Sequence, residues 1–248
     1  METGAVILEN MLSELDEMGL STMAQTLNRL YHGPSFLELD RLSILREVID
    51  AEYQTKAGKK FVNRLKKANL SGSPCSLGNC VDSAEREYLP EEITTSLANL
   101  SFVEQGLNVC ILGPSDSGKS YLAKALAIQA CHNYRVAYFH CSAFTEEMVA
   151  IKARDFEKYK RKMRYYMKLD VLVLDDFLLH TITDEGEIKV LFELLEKRSE
   201  LMKSTIVCSQ REPRSWASMM LNDEVSSNAI LKRATKHYTV VINPKISG

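Results

Sequence analysis

The stretch Gly113-Pro-Ser-Asp-Ser-Gly118-Lys119-Ser120 fits G-x-x-x-x-G-K-[ST], and it constrains the fold around it more than any other feature. Such a loop works only between a strand and a helix. Leu107-Asn-Val-Cys-Ile-Leu112 leads into it as an apolar, β-leaning run. Tyr121 to Cys131 follows, rich in helix formers, with Leu122, Ala125, Leu126 and Gln129 at helical spacing. In that setting the backbone N–H groups of the loop point inward at phosphate oxygens, and the helix N-terminus adds a positive partial charge. Gly113, Pro114, Ser115, Asp116, Ser117, Gly118, Lys119 and Ser120, with Tyr121 next in line, are therefore the candidate ATP site. Lys119 is placed to reach the β- and γ-phosphates, and the Ser120 hydroxyl to ligate Mg²⁺. Asp116 would set a carboxylate before a triphosphate. Asp tolerates left-handed backbone better than most residues, so the turn can survive it.

A second acidic feature completes this chemistry. Val171-Leu-Val-Leu-Asp175-Asp176 is a short apolar strand ending in two acids. A buried strand of this kind delivers its terminal carboxylates to the sheet edge beside the phosphate loop. Asp175 would hold Mg²⁺ through water, and Asp176 would polarise an attacking water. Ser204 to Gln210 reads as another strand, and Gln210 at its end is either a γ-phosphate sensor or an ordinary turn residue. Arg233 precedes the last strand. It is either a surface cation or an arginine finger supplied to a neighbouring subunit. The expected catalytic set is Lys119, Asp176, Gln210 and Arg233.

The second half of the chain alternates. Strands are expected at 134–141, 170–175, 204–209 and 238–242, with helices over 144–166, 184–202 and 226–235. Alternation of this kind implies a parallel sheet with helices on both faces. Residues 6 to 69 read instead as helices. Leu8, Met11, Leu12, Leu15 and Met18 form one stripe, and a second short helix breaks at Gly33-Pro34. Ser35 with Glu38 resembles a capping box opening a longer helix, whose stripe is Leu42, Leu45, Val48 and Ile49. Residues 70–82 cluster Ser, Gly and Pro without periodicity. The expected division is a helical domain at 1–69 that binds DNA or a partner, a linker at 70–90, and an α/β domain at 91–248.

The net charge is −2, so nucleic-acid binding would have to come from local patches. Two exist. Lys56, Lys60, Arg64 and Lys67 fall on one helix face in a stretch without acids. Lys152 to Lys168 holds eight basic residues, among them Lys158, Arg161 and Arg164, against Asp155 and Glu157, interleaved with Tyr159, Tyr165 and Tyr166. Each patch is either a solvated helix face or a contact to a phosphate backbone, double-stranded DNA first and single strands as the alternative. No apolar run approaches the length of a membrane span, and the first residues lack a secretion signal. None of the six cysteines has zinc-finger spacing, and the simplest reading is a reduced, cytoplasmic protein.

The run Gly-Pro-Ser-Asp-Ser-Gly-Lys-Ser-Tyr-Leu-Ala-Lys-Ala-Leu, then Tyr-Arg-Val-Ala-Tyr-Phe, Val-Leu-Asp-Asp-Phe, Ser-Thr-Ile-Val-Cys-Ser-Gln and Ala-Ile-Leu-Lys-Arg233 resembles the IstB family. These are ATP-binding helpers of insertion-sequence transposons, related to DnaC helicase loaders and DnaA initiators. The resemblance covers nearly the whole chain, including Met18-Gly-Leu and Asp50-Ala-Glu-Tyr near the start. It implies an AAA+ P-loop ATPase with a five-stranded parallel sheet flanked by helices, behind a small all-helical domain. It also implies DNA binding, homo-oligomers on DNA and a transposase as partner. In that resemblance Gln210 matches the sensor and Arg233 the arginine before the last strand. The chain departs from the family at Asp116, where Gly is usual, and at Lys232, where an acid is frequent. A helicase loader with a replicative helicase as partner, and an ATP-binding DNA scaffold with little hydrolysis, are the alternatives. A small-molecule kinase would share the loop, but no Arg-rich lid insertion follows the helix after the acidic strand.

Overall fold

The computed structural model describes residues 4–221 and 224–245. The chain divides into two compact units, Met1–Asn63 and Arg64–Gly248.

The first unit is helical, with α1 (Gly4–Glu17), α2 (Ser21–Tyr31) and most of α3 (Arg41–Lys67). α3 does not begin at the expected capping box. Asp40 caps it, its carboxylate accepting from the amides of Leu42 (3.1 Å) and Ser43 (3.2 Å). Ser35 contributes its carbonyl instead, closing turns with the amides of Glu38 and Leu39. A carboxylate immediately before the first turn satisfies orphan donors better than a hydroxyl six residues ahead of it. The Leu42, Leu45, Val48, Ile49 stripe buries only Val48. Glu52 does more than the stripe. It is buried, accepts from the Met23 amide (2.9 Å) and pairs with Lys56 (3.5 Å). The N-cap of α2, Leu20, has no side-chain acceptor, so α3 supplies one from a distance.

The second unit is built on a six-stranded sheet in the order β1-β6-β2-β5-β4-β3. Five strands are parallel, as expected: β2 (Val109–Leu112), β3 (Val136–His140), β4 (Val171–Asp175), β5 (Ser204–Ser209) and β6 (Tyr238–Pro244). The sixth, β1 (Arg86–Leu89), lies within the expected linker. It pairs antiparallel with the edge of β6, Arg86 opposite Pro244 and Leu89 opposite Val241. At four residues it is too short for a clear alternation, and its signal is tertiary. The central strands β4 and β5 are buried along their whole length. Both faces are covered, which is why they read as continuous apolar runs.

The helices of this unit are α4 (Ile93–Ala98), α5 (Ser101–Glu104), α6 (Lys119–Ala130), α7 (Cys141–Arg154), α8 (Phe156–Met167), α9 (Glu185–Glu200) and α10 (Glu224–Thr235). The helix expected over 144–166 is two. The chain breaks at Asp155, whose backbone is extended and whose carboxylate caps α8 through the Lys158 amide (2.9 Å). Side chains alternate across the sheet. Cys110, Ala137, Leu172, Leu174 and Val207 face the core formed with Phe144, Met163, Leu191 and Ile230 of α7 to α10. The opposite face of β3, β4 and β5 receives α6. Asp175 shares the parity of Val171 and Val173, so it points to the α6 side.

One charged side chain sits inside this packing. Arg198 of α9 is fully buried. Its guanidinium donates to the carbonyls of Tyr166 (2.6 Å) and Leu169 (2.9 Å), to Thr205 Oγ1 (3.0 Å) and to the Ser204 carbonyl. Burial pulls its pKa down to about 9, so it still carries its charge at neutral pH. Arg198→Met should lower the unfolding free energy by about 3–5 kcal/mol, because it leaves several buried acceptors unpaired. Arg198→Lys should recover less than half of that, since one ammonium cannot span the fork. Urea titration followed by circular dichroism reads both. A loss below about 1 kcal/mol for the Met variant would show that the acceptors find other donors.

Candidate functional site

β2 ends at Leu112 and α6 begins at Lys119, so the glycine loop has the strand and helix it requires. Gly113 must be glycine. Its φ is +156°, and a Cβ there would lie 2.6 Å from the Ile242 carbonyl and 2.7 Å from Ser117 Oγ. Gly118, with φ +101°, would put a Cβ 2.6 Å from Nη1 of Arg86. Asp116 adopts φ +59°, the left-handed conformation that its short polar side chain tolerates. Its carboxylate accepts from the Ser115 hydroxyl (3.3 Å) and is exposed at the loop tip.

Lys119 is buried and donates to the Pro114 carbonyl (2.5 Å), folding its ammonium over the loop. Burial pulls its pKa below the ordinary lysine value, while Cys208, Asp175, Asp176 and Asp116 pull it back up. Ser120, half-buried, follows in the first turn of α6. Tyr121 differs from expectation. Its hydroxyl accepts from the Ser76 amide (3.2 Å) and from Asn79 Nδ2 (2.9 Å), and so anchors the 76–79 turn to α6.

Asp175 is fully buried at the end of β4. Its Oδ1 accepts from the Asp176 amide (3.0 Å), and its Oδ2 accepts from the Tyr138 hydroxyl. Burial and Asp175 together push the Tyr138 phenol pKa upward, which keeps it a donor. Asp176 has φ +52° and is one-third exposed, with its Oδ2 3.0 Å from Nδ1 of His140. Tyr138 and His140 stand two apart on β3, on one face of the strand. Each holds one of the two acids. Sequence reading missed both, because their partners are set by the β3–β4 register, with Tyr138 opposite Val173 and His140 opposite Asp175. The ligand atoms of His140, Asp175 and Asp176 lie within 4.8 Å of one another. The two carboxylates offer oxygen donors of the kind Mg²⁺ takes.

Gln210 lies just past β5 and lines a cleft of about 440 Å³ with Gly113, Pro114, Arg211 and Arg214. The end of β5 is tied to the acidic strand. Phe177 donates its amide to the Cys208 carbonyl (2.7 Å), and Ser209 Oγ donates to the Phe177 carbonyl (2.8 Å). Trp216, fully buried against Phe177, donates Nε1 to the Arg211 carbonyl (3.2 Å). Arg233 is held within its own subunit. Its guanidinium donates to Glu196 (3.1 Å) and to the Ala229 carbonyl (3.0 Å), over the ring of Phe192.

The two basic patches fare differently. Arg64 is taken up by the C-terminus of α6, donating to the carbonyls of Cys131 (3.2 Å) and His132. A helix C-terminus with orphan carbonyls attracts such a cation. Lys56 pairs with Glu52, which leaves Lys60 and Lys67 exposed. On α8, Lys158, Arg161 and Arg164 are all exposed and have no carboxylate partner among the described residues. Tyr165 and Phe156 are exposed beside them, and Lys160 covers the Phe156 ring at 4.5 Å.

Residues 13–245 match the family described as IstB-like ATP binding protein. An insertion-sequence ATP-binding protein of Sinorhizobium fredii is 30% identical over 223 residues, covering 90% of this chain and 87% of its own length. The IS21 ATP-binding protein of Pseudomonas aeruginosa is 28% identical, covering 85% and 80%. Among solved structures, the DnaC helicase loader superposes with a TM-score of 0.53 at 17% identity, covering 69% of this chain and 98% of that one. AMPPCP-bound DnaA from Aquifex aeolicus gives 0.55 at 19%, covering 68% of this chain and 50% of that one, so this chain spans half the DnaA length. These two structures support the AAA+ fold.

Tyr138→Phe removes one oxygen and keeps the ring. It should raise the Mg²⁺ concentration for half-maximal nucleotide hydrolysis by about 3–10-fold, the loss of one hydrogen bond to a carboxylate. Nucleotide affinity without Mg²⁺ should stay at the wild-type value. An unchanged Mg²⁺ dependence would mean that the phenol does not orient Asp175.

Proposed function

Because the chain belongs to the IstB-like ATP-binding family, and is an ATPase of the AAA+ class, we propose that it assembles on DNA with ATP and activates a transposase. The observation that carries the reading is the convergence of Lys119, Asp175 and Asp176 at one end of the sheet, where the two acids act on the lysine electrostatically. Loop amides and Lys119 hold the triphosphate. Ser120 and Asp175 would hold Mg²⁺, which would supply charge neutralisation to the triphosphate. Asp176 orients the attacking water, and Gln210 reads the γ-phosphate from the end of β5. Arg233 serves the nucleotide of a neighbouring subunit, with Glu196 holding it until that interface forms.

DNA contact is assigned to the exposed face of α8. Cations with interleaved aromatics suit a phosphate backbone, and the absence of base-reading features implies weak sequence preference. Arg64 is not part of a DNA contact, since its guanidinium closes α6.

Asp176→Asn should bind ATP with wild-type affinity and hydrolyse it about 100-fold more slowly, the scale of a lost general base. Steady-state hydrolysis with and without DNA, beside a nucleotide titration, reads both properties. Unchanged turnover would move the water-orienting role to another residue.

Replacing Lys158, Arg161 and Arg164 together with Ala should weaken DNA binding at every sequence. It should flatten the slope of log affinity against log salt by up to about three units. A salt titration with ATP present measures the slope. An unaltered slope would leave α8 as a solvated face and remove the DNA half of the reading.

A further inference from the structure

The phosphate loop carries a cation that its motif does not contain. Arg86 comes from β1, far from the loop in sequence. Its Nη1 lies 2.6 Å, and its Cζ 3.5 Å, from where a Cβ on Gly118 would be. Gly118 is the N-cap of α6, and its own side chain offers no cap. A helix N-terminus already carries positive partial charge, and Lys119 adds a full one. A third positive group belongs there only if an anion does too. No carboxylate pairs with Arg86 among the described residues. The Cys80 thiol, which burial pushes up to about 11, and the Tyr88 phenol, which burial also pushes up, both feel its charge and are themselves neutral at pH 7.

A second observation points the same way. Ser117, inside the loop, is 4% exposed, and its Oγ has no hydrogen-bond partner. That hydroxyl points into the loop interior, 2.7 Å from the place a Gly113 side chain would fill. A buried hydroxyl left unpaired costs about 1–3 kcal/mol, and a phosphate oxygen would satisfy it.

We propose that Arg86 is a phosphate-binding residue, supplied by the edge strand to the diphosphate part of the nucleotide. The inference rests on the phosphate-loop reading and extends it to β1. A guanidinium presents a planar fork to phosphate oxygens and is less strongly hydrated than an ammonium. The antiparallel pairing of Arg86 with Pro244 of β6 fixes the strand, so the side chain is positioned before nucleotide arrives.

The test compares wild type, Arg86→Gln, Arg86→Lys and Lys119→Ala by titration with ATP and with ADP, and by thermal melting with and without each nucleotide. Arg86→Gln should weaken ATP and ADP alike by about tenfold or more, the scale of one charge-assisted hydrogen bond. Arg86→Lys should fall between it and wild type. Without nucleotide, Arg86→Gln should melt at or above the wild-type temperature, because it removes an uncompensated cation from a helix N-terminus. A purely structural role would lower that melting temperature instead, and this would overturn the proposal. So would wild-type affinity for both nucleotides in Arg86→Gln while Lys119→Ala loses them. Binding indifferent to Lys119→Ala would overturn the phosphate-loop reading itself, and the role of Arg86 with it.

Discussion

The buried guanidinium of Arg198 sets the frame on which the site depends. Four segments meet on it: the end of α8 through Tyr166, the entrance to β4 through Leu169, the start of β5 through Ser204 and Thr205, and α9, which carries it. A cation inside a protein is tolerated only when its donors are satisfied, and here four hydrogen bonds run from the three guanidinium nitrogens to carbonyls and a hydroxyl in place of a carboxylate. Such a group admits little freedom in how the segments sit. It acts at the entrance of β4 and β5, and the chemistry lies at their exits. Asp175 and Asp176 leave β4, and Ser209 and Gln210 leave β5. Parallel pairing of Leu172 with Thr205 and Leu174 with Val207 transmits the relative position from one end to the other.

Much of this was legible because it is local. A glycine loop between an apolar strand and a helix, and an apolar strand ending in two acids, are short patterns whose geometry follows from backbone sterics and period. The five parallel strands followed from alternation of strand and helix patterns. What was illegible depends on partners distant in sequence. β1 is four residues whose only reason to be extended is the open edge of β6. Tyr138 and His140 read as ordinary strand residues until β4 lies beside them. Arg64 read as one of four cations on a helix face, and the C-terminus of α6 claims it. Ser35 and Glu38 fitted a capping pattern that Asp40, closer to the first turn, outcompeted. Asp155 read as an acid within a helix and proved to be the cap of a new one.

The two acids at the end of β4 show how differently one dipeptide can be treated. Asp175 is sealed, with one oxygen on a backbone amide and the other on a phenol. Each oxygen keeps a further lone pair, so the group is oriented without being used up. Asp176 turns into left-handed backbone and stays one-third exposed, tethered by a single imidazole. One carboxylate is sealed with two partners, and the other is partly exposed with a single side-chain partner. β3 enforces the difference through two side chains on one face.

The antiparallel strand β1 also governs what the sheet edge presents to solvent. β6 is hydrogen-bonded to β2 on one side and to β1 on the other. Without β1, outer backbone groups of β6 between Val241 and Asn243 would stand open beside apolar Ile242, a ready template for strand addition from another chain. A chain shortened to begin at the first helix after β1 would keep every residue of the glycine loop and both acids. It would also carry an adhesive edge, and its tendency to self-associate would belong to that exposed strand and not to the nucleotide chemistry. Residues 86 to 89 are therefore part of the sheet, and the outer edge of β6 is covered only when they are included.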